Sequence, residues 1–367
     1  MVTRRHAAPI EQIEVSVYTI PTNGPEADGT FAWDSTTMVL VEASAGGLCG
    51  LGYTYADTAT GLLIKDTLAA LVRGRDAMDV PGCWEAMVHA IRNLGRPGIS
   101  SMAIAAVDVA LWDLKARLLD ISMVDLLGAV RDAVPVYGSG GFTTYPIERL
   151  QAQLAGWVAE GIPRVKMKIG TDPNADLVRV RAAREAIGPD AALYVDANGA
   201  YSRKQALAFA EAFGEFGVVW FEEPVPADDL AGLRLMRDRA PGGMDIAIGE
   251  YGYDLWYFRR VLEAKAVDVL QADASRCAGI TGFMRVSPLT ESRQLALSAH
   301  CCPSLHVPPC CAVPLLSPME YFYDHARIEH MLFDGALTPV DGALHPDRSR
   351  PGLGLEFKRA DAARYAV

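Results

Sequence analysis

No stretch of the sequence is long and apolar enough to suggest a membrane span. A transmembrane helix needs about 20 mostly apolar residues, and the most hydrophobic helical stretch, 102–119, carries Asp108 and Asp113. The first residues include basic side chains but lack the apolar core of a signal peptide. We therefore expect no membrane partner and a cytoplasmic location.

Basic residues are in the minority. The chain has 34 Lys and Arg residues against 45 Asp and Glu residues, and its formal net charge is −11. Because an acidic surface repels phosphate backbones, a nucleic-acid partner is not expected. A small anionic substrate is still compatible with this charge, since a local cation can dominate one pocket. Half of the residues are hydrophobic, which excludes disorder of the whole chain.

Cysteine is scarce, and its pattern indicates neither disulfides nor a metal site. The seven cysteines include two adjacent pairs, at 301–302 and 310–311. An odd number in a chain of this size, without an export signal, favours reduced thiols. The spacing of the pairs from His300 and His306 matches no standard zinc pattern, because adjacent cysteines cannot easily bind one tetrahedral ion.

The first part of the chain predicts an α+β unit. Alternating apolar residues over 13–17 indicate a strand, and three helical stretches follow the strands, at about 60–73, 81–93 and 100–119. The segment 21–34 is rich in Pro, Gly and Asn, which predicts a mobile loop. Residues 21–33 and 50–56 are candidate lids over a site, and Tyr53 is a predicted substrate contact.

From residue 135 onward the pattern changes to one strand and one helix per unit of about 25 residues. Seven short apolar runs mark the strands: 136–137, 165–169, 193–195, 218–221, 246–248, 267–270 and 295–297. Such units imply right-handed crossovers and a parallel sheet, which is the α/β class. Their number favours a closed (β/α)-barrel over an open doubly wound sheet.

Ionisable residues stand at the C-terminal ends of these apolar runs. The series consists of Lys166 and Lys168, Asp196, Glu222, Glu250, Asp273, His300 and, near an eighth strand, Glu320. In a parallel barrel these ends converge on one mouth, where active sites lie. One acid after a strand is usually a helix cap or a loop residue, but a series with one member per unit indicates a site.

Three of these carboxylates predict a metal. Asp196, Glu222 and Glu250 would face one another across the mouth, where uncompensated negative charges repel strongly. A hard divalent cation compensates them, and three carboxylate oxygens leave octahedral positions open for water or substrate, which suits Mg²⁺.

The remaining groups predict proton transfer. Lys166 and Lys168 share one face of a strand. Two ammonium groups near a dication disfavour protonation, so one lysine is predicted to act as a general base near neutral pH while the other binds a substrate carboxylate. Asp273 and His300 end adjacent strands, and an Asp bonded to one imidazole nitrogen raises the basicity of the other. Ser139, in the loop after the first barrel strand, is a predicted substrate contact.

A set of motifs extends over nearly the whole chain: Ala105-Val-Asp-Val-Ala-Leu-Trp-Asp, Val165-Lys-Met-Lys-Ile-Gly, Val195-Asp-Ala-Asn-Gly, Phe221-Glu-Glu-Pro, Ile248-Gly-Glu, Gln271-Ala-Asp, Gly279-Ile-Thr, Ser298-Ala-His and Pro351-Gly-Leu-Gly. Together they resemble the enolase superfamily, in its mandelate racemase-like group (the mandelate racemase/muconate lactonizing enzyme family). The resemblance implies a modified TIM-like barrel with an N-terminal α+β capping domain. We expect the capping domain at 1–130, the barrel at 131–345, and a tail at 346–367 that packs back on the capping domain.

The resemblance also implies one Mg²⁺ and abstraction of a proton α to a carboxylate by a Lys or His base. Three groups of residues carry implied roles: Asp196, Glu222 and Glu250 as Mg²⁺ ligands; Lys168 and His300 as bases on opposite faces of the substrate, with Asp273 assisting His300; Lys166 and Glu320 as contacts of the carboxylate. Strand six carries no lysine, which argues against the muconate-cycloisomerase and dipeptide-epimerase groups.

Three functional hypotheses stay open. An enediolate leads to dehydration of a sugar acid if a general acid protonates the departing β-hydroxyl. A 2-hydroxyacid racemase or epimerase would use the two opposed bases without a leaving group. A catalytically silent binding barrel is the third hypothesis, although nothing is missing from the base and ligand set. The expected partner is a small hydroxy-carboxylate, and the protein is expected to form a homo-oligomer.

Overall fold

The fold is that of a computed structural model, which describes residues 8–367. Its N-terminal unit is an antiparallel sheet in the order β1-β2-β3 with helices packed against it. The elements are, in chain order, β1 (Gln12–Ala27), β2 (Ala32–Ala45), β3 (Leu48–Tyr55), α1 (Thr58–Leu63), a π-helical turn (Ile64–Leu68), α2 (Ala69–Val72), α3 (Val80–Ala90), α4 (Ile99–Leu118) and α5 (Met123–Leu127).

Two glycines allow α4 to lie directly on β3. A Cβ atom at Gly50 would lie 2.2 Å from the backbone nitrogen of Leu114, and one at Gly52 would lie 2.4 Å from the carbonyl oxygen of Ala106. Any larger residue would push the helix off the sheet, because contacts this short do not occur in packed proteins. The Gly-Leu-Gly sequence of β3 therefore brings helix and sheet into close contact.

The segment predicted as a mobile loop is mostly strand. β1 continues to Ala27 and β2 begins at Ala32, so only residues 28–31 form the turn. The register of the β1–β2 pairing shifts between Pro21 and Glu26, and this bulge accommodates the Pro and Gly residues of the segment. The loop prediction over 21–34 is wrong, because a bulged hairpin and a loop give the same Pro and Gly signals. Residues 50–55 likewise belong to a strand, β3.

The second unit is a parallel barrel, and its strands and helices alternate strictly: β4 (Val134–Gly140), α6 (Ile147–Ala159), β5 (Arg164–Lys168), α7 (Pro173–Ile187), β6 (Ala192–Asp196), α8 (Arg203–Gly214), β7 (Val218–Glu222), α9 (Leu230–Arg239), β8 (Asp245–Ile248), α10 (Leu255–Glu263), β9 (Val269–Ala272), α11 (Gly279–Glu291), β10 (Ala296–Ala299), α12 (Pro303–Cys311), β11 (Met319–Phe322) and α13 (Tyr323–Leu332). The strand order is β10-β9-β8-β7-β6-β5-β4-β11.

Backbone hydrogen bonds bring the two ends of this strand path together. The Leu297 amide donates to the carbonyl of Leu315, and the Ser317 amide donates to the carbonyl of Leu297, both at 2.9 Å. These bonds join β10 to the residues that lead into β11. The predicted (β/α)-barrel is confirmed, and the open doubly wound sheet is wrong.

Aromatic side chains fill the barrel beneath its mouth. Tyr137, Tyr194 and Trp220 form a buried cluster with Ala247 and Val269, and the rings of Tyr194 and Trp220 stack with centroids 5.1 Å apart. These residues lie before the strand ends, and successive inward-facing positions on a strand are two residues apart. The aromatic cluster is thus an apolar floor one level below the charged residues.

The end of the chain returns to the N-terminal unit. It contains β12 (Phe333–Asp334), β13 (Ala343–Leu344), β14 (Glu356–Phe357), α14 (Arg359–Ala362) and a 3₁₀ turn (Ala363–Tyr365). On α4, buried Asp113 accepts a hydrogen bond from the Leu353 amide at 2.6 Å, and buried Asp108 accepts bonds from the amide and hydroxyl of Thr281 on α11. The domain boundaries at 130 and 345 stay a prediction.

Two further expectations concern membranes and thiols. Within residues 8–367, no helix has the length and apolar character that crossing a membrane requires. All seven cysteines belong to this described part of the chain, and each is a free thiol. Only Cys49 is exposed.

Replacing Asp113 with Ala is expected to lower the free energy of unfolding by roughly 3–5 kcal/mol. The substitution removes the acceptor shared by the Leu51 amide, the Leu353 amide and the Arg117 guanidinium. Denaturant unfolding followed by circular dichroism measures the loss. Asp238→Ala is the control, because its ion pair lies on the surface. An equal change in both variants would contradict a linking role for Asp113.

Candidate active site

The barrel brings the whole predicted series of ionisable residues to its mouth. β5 carries the two lysines, β6 and β7 each end in a carboxylate, and the loops after β8, β9 and β10 supply the next three residues. All are buried: Lys166, Lys168, Asp196, Glu222, Glu250, Asp273, His300 and, on β11, Glu320. So many buried charges in one place require mutual pairing or a bound ion.

The three predicted metal ligands form one cluster. Asp196, Glu222 and Glu250 each place a carboxylate oxygen so that these atoms lie within 4.8 Å of one another. Burial, together with repulsion from Asp196, raises the pKa of Glu222 to about 8. Oε2 of Glu250 is buried without a hydrogen-bond partner. Hard oxygen donors, excess negative charge and an unpaired carboxylate oxygen fit Mg²⁺.

The two lysines pair with this carboxylate cluster. Nζ of Lys168 lies 2.5 Å from Oδ2 of Asp196, and Nζ of Lys166 lies 2.6 Å from Oε1 of Glu222 and 2.8 Å from Oε1 of Glu320. Burial lowers the pKa of both lysines, but the carboxylates outweigh it, so the pKa of each is raised. In the metal-free protein the carboxylates thus raise each lysine pKa more than burial lowers it. The lowering of a lysine pKa beside a dication stays a prediction.

Asp273 orients His300. Nδ1 of His300 lies 2.9 Å from Oδ2 of Asp273. Burial raises the pKa of Asp273, but the bond to His300 and the nearby His306 outweigh it and hold this pKa well below its usual range. An ionised Asp273 accepts a hydrogen bond from the Nδ1–H group of His300, which leaves Nε2 to face the site. Nε2 lies 3.5 Å from Oε2 of Glu250 and 3.6 Å from Oε2 of Glu320.

The same carboxylates set the protonation of His300. Burial lowers the pKa of this imidazole, whereas Glu250 and Glu320 raise it, and the net direction is upward. A raised pKa favours the imidazolium, which can donate a proton from Nε2. His300 in this environment is suited to act as a general acid.

Ser139 and Tyr53, the two predicted substrate contacts, differ in position. Ser139 belongs to strand β4 rather than to the following loop, and its hydroxyl donates to Oε1 of Glu320 at 2.6 Å. The hydroxyl of Tyr53 donates to Oε1 of Glu329 at 2.7 Å, and its ring stacks on Phe333. The structure therefore brings Ser139 to the site as a partner of Glu320 and does not bring Tyr53 there.

Glu223 lies beside the carboxylate cluster and is not a member of it. It adopts a left-handed conformation with φ of 39°, and it lines a cavity of about 640 Å³. The cavity is lined by polar and aromatic side chains, among them Thr30, Asn198, Tyr251, Tyr253 and Tyr257. Thr30 comes from the turn between β1 and β2, so this hairpin reaches the edge of the barrel mouth.

Sequence reasoning missed two polar residues in the loops that follow the strands. Oδ1 of Asn198 lies 3.2 Å from Nζ of Lys168. Arg276 lies between two acids, with Nη1 3.2 Å from Oε1 of Glu250 and Nε 3.7 Å from Oδ2 of Asp273. Their positions in the sequence could have indicated them, since Asn198 follows the strand-end acid Asp196 by two residues and Arg276 follows Asp273 by three.

Sequence reasoning also missed two uncharged residues of the site. Oε2 of Glu222 accepts hydrogen bonds from Nε2 of Gln271 and Nε1 of Trp220, both at 2.9 Å. Sγ of Cys301 lies 3.3 Å from Nε2 of His300. Gln271 precedes Asp273 by two residues and so shares its strand face, which is a usable signal. No sequence signal distinguishes Cys301 from its neighbour.

Family models match both units of the chain. Residues 12–128 match the N-terminal domain of the mandelate racemase/muconate lactonizing enzyme family, and residues 149–362 match the enolase C-terminal domain-like model. The chain belongs to the mandelate racemase/muconate lactonizing enzyme family. The enolase-superfamily resemblance of the sequence motifs is thereby confirmed.

Curated relatives of this family member include sugar-acid enzymes of two reaction types. A 3,6-anhydro-alpha-L-galactonate cycloisomerase of Streptomyces coelicolor is 32% identical over 95% of this chain and 98% of its own. An L-talarate/galactarate dehydratase of Salmonella typhimurium is 30% identical over 97% of this chain and 90% of its own. Cycloisomerisation is not among the three functional hypotheses that the sequence analysis left open.

Solved structures of the family show the same architecture. A mandelate racemase/muconate lactonizing enzyme-like protein from Rubrobacter xylanophilus is 56% identical, with a TM-score of 0.96 over 98% of this chain and 100% of its own. A racemase from Streptomyces coelicolor with bound magnesium is 31% identical, with a TM-score of 0.92 over 98% of this chain and 100% of its own. The chain is thus an enzyme of a Mg²⁺-dependent superfamily, and Mg²⁺ is its cofactor.

Proposed function

We propose that this enzyme removes the proton α to the carboxylate of a sugar acid and eliminates the β-hydroxyl, which yields a 2-keto acid. The observation that carries the proposal is the placement of two proton-transfer groups at the two edges of the carboxylate cluster. Lys168 pairs with Asp196 at one edge, and His300 faces Glu250 at the other. An elimination needs a base and an acid that act on the same substrate.

The assignment of metal ligands is part of this proposal. Asp196, Glu222 and Glu250 would hold Mg²⁺, which supplies positive charge to stabilise the enediolate as it forms. Lys166, held by Glu222 and Glu320, contributes a second fixed positive charge beside the substrate carboxylate. These groups are buried, so their effect on the developing charge is strong.

In the proposed reaction, Nζ of Lys168 takes the α-proton as a neutral amine, the form that a dication bound beside it would favour. The electron pair of the broken C–H bond forms the enediolate. When the bond between the β-carbon and its hydroxyl breaks, Nε2 of His300 gives its proton to the departing oxygen, and water is released. Asp273 holds the imidazole orientation throughout. The resulting enol takes up a proton at the β-carbon, releases the proton of its hydroxyl group and becomes the 2-keto acid.

The large cavity beside the site supports a hydroxylated substrate. Its volume is about 640 Å³. Two of its lining residues, Glu223 and Tyr257, each carry a buried oxygen without a hydrogen-bond partner, Oε1 and the hydroxyl respectively. Buried polar atoms normally have partners. The hydroxyl groups of a sugar chain would supply hydrogen-bond partners for the two oxygens, whereas an apolar substrate would leave both unpaired. The names of the relatives, which are sugar-acid dehydratases and cycloisomerases, agree with this class.

The proposal is tested with a panel of sugar acids and Mg²⁺ in deuterated water. Release of keto acid that depends on Mg²⁺ is the expected result, read by a carbonyl-specific assay and by NMR. The control is the double variant Lys168→Ala/His300→Asn, which should release none. Deuterium at the α-carbon without keto acid would instead identify a racemase or epimerase. A ring-opened or ring-closed isomer without loss of water would identify a cycloisomerase.

Two finer predictions complete the proposal. We expect the enzyme to act in the cytoplasm, since all seven thiols are free and such thiols suit a reducing compartment. We also expect a homo-oligomer. Cell fractionation and light scattering of the purified protein measure these two properties.

A further inference from the structure

A second group of possible metal ligands lies beside the carboxylate cluster. It consists of His300, Cys301 and Glu320, all buried. Nε2 of His300 lies 3.3 Å from Sγ of Cys301, Sγ lies 3.3 Å from Oε2 of Glu320, and Nε2 lies 3.6 Å from the same oxygen. One nitrogen, one sulfur and one oxygen therefore form a nearly equilateral triangle.

The size of this triangle matches tetrahedral zinc. Zn²⁺ binds nitrogen and oxygen at about 2.0–2.2 Å and sulfur at about 2.3 Å, so two ligands at the tetrahedral angle lie about 3.4–3.6 Å apart. The three separations at the site are within about 0.3 Å of these values. The spacing of the three ligand atoms therefore suits three positions of a tetrahedral Zn²⁺ site.

The surrounding structure holds the three ligand atoms in place. Asp273 binds Nδ1 of His300 and leaves Nε2 as the ligand atom. Ser139 and Lys166 bind Oε1 of Glu320, so Oε2 is left to face the sulfur. Cys301 has φ of 54°, a conformation that residues other than glycine rarely adopt. These contacts hold the three ligand atoms near one another in the absence of a metal ion.

The ligand types separate this triangle from the carboxylate cluster. A thiolate and an imidazole favour Zn²⁺, whereas three carboxylates favour the hard cation Mg²⁺. The neighbouring Cys302 does not share the arrangement, because its Sγ lies near Ser275 Oγ at 3.5 Å. The sequence analysis expected no metal site at these cysteines, and this arrangement departs from that expectation. Only Cys301 is a ligand in it, so the two adjacent cysteines do not bind one ion.

We propose that His300, Cys301 and Glu320 form an inhibitory site for thiophilic divalent ions such as Zn²⁺. When the ion binds, the Cys301 thiol loses its proton to solvent, and an imidazolium at His300 likewise releases its Nε2 proton. Nε2 of His300 then holds the metal and has no free lone pair for a proton, and Oε2 of Glu320 is occupied. Binding does not depend on the proposed function, whereas the expected inhibition rests on it.

Binding is tested with Co²⁺ as a spectroscopic substitute for Zn²⁺, in protein saturated with Mg²⁺. The expected result is a near-ultraviolet thiolate-to-cobalt absorption band in the wild type that Zn²⁺ removes. Cys301→Ser should lack the band and Cys302→Ser, a matched buried cysteine, should keep it. Absence of the band in the wild type, or its persistence in Cys301→Ser, would overturn the site.

Inhibition is tested by titrating Zn²⁺ into each variant at saturating Mg²⁺, with rates expressed relative to that variant without Zn²⁺. Cys301→Ser should need at least about tenfold more Zn²⁺ than wild type or Cys302→Ser. Equal inhibition of all three proteins, relieved by more Mg²⁺, would place Zn²⁺ on the carboxylates and overturn the proposal. A cobalt band without inhibition would support the site and contradict the role of His300 in the proposed reaction.

Discussion

His300→Asn is expected to lower net turnover by at least about 10²–10⁴-fold while α-proton exchange continues with substrates whose proton faces Lys168. The variant lacks the Nε2 acid that protonates the leaving hydroxyl, but it keeps the amine at the opposite edge of the carboxylate cluster. NMR or mass spectrometry of substrate recovered from deuterated water measures the exchange, and keto-acid release measures turnover.

Lys168→Ala is the matched partner of that variant. It removes the amine beside Asp196 and keeps the imidazole beside Glu250, so exchange should be lost for the configuration that His300→Asn retains. The two variants together report stereochemistry, which a general loss of folding would not produce. If both variants exchange both configurations, neither residue is the base.

Chelation of Mg²⁺ should remove turnover, and added Mg²⁺ should restore it. The sharper form of this prediction compares Glu222→Gln with Glu223→Gln, two identical substitutions at adjacent buried positions. Glu222→Gln removes a charge from the three-carboxylate cluster and should weaken Mg²⁺ binding on the order of 10²-fold or more. Glu223→Gln changes the wall of the neighbouring cavity and should have a much smaller effect on Mg²⁺.

Calorimetric titration with Mg²⁺ measures both affinities without any substrate. Circular dichroism and thermal unfolding check that each variant folds, which matters because Glu222 also accepts bonds from Trp220 and Gln271. Equal weakening by the two substitutions would mean that β7 presents Glu223 to the metal. Turnover that is unchanged in metal-free protein would contradict the cofactor assignment.

The strand-end residues of the candidate site were predictable because they recur once in each strand–helix unit of the sequence. One ionisable residue at each strand end, repeated with the strand–helix unit, places the series at the barrel mouth once the sheet closes. The alternation of side chains along a strand then predicted that Lys166 and Lys168 share a face, and both pair with carboxylates there. The fold class and the ionisable residues at the strand ends follow from this local pattern, whereas Arg276 in the loop after β9 does not.

The sequence did not predict in the same way which residues contact one another in the folded chain. Tyr53 lies in a candidate lid, yet its hydroxyl binds Glu329, a residue distant in sequence. The segment 21–34 forms a bulged hairpin because β2 pairs with it across the shift. The lysine pKa values are raised because the acids of neighbouring strands approach them to hydrogen-bonding distance.

The sequence by itself therefore determined the class of fold, the family and the strand-end ionisable residues that meet at the barrel mouth, since these follow from repeats and motifs along the chain. The tertiary structure alone decided which atom faces which. It turned Ser139 toward Glu320, joined α4 to the C-terminal segment through Asp113, and set Cys301 beside His300. Distances of a few ångströms between residues far apart in sequence decide hydrogen bonding and metal binding, and these distances exist only after the barrel has closed.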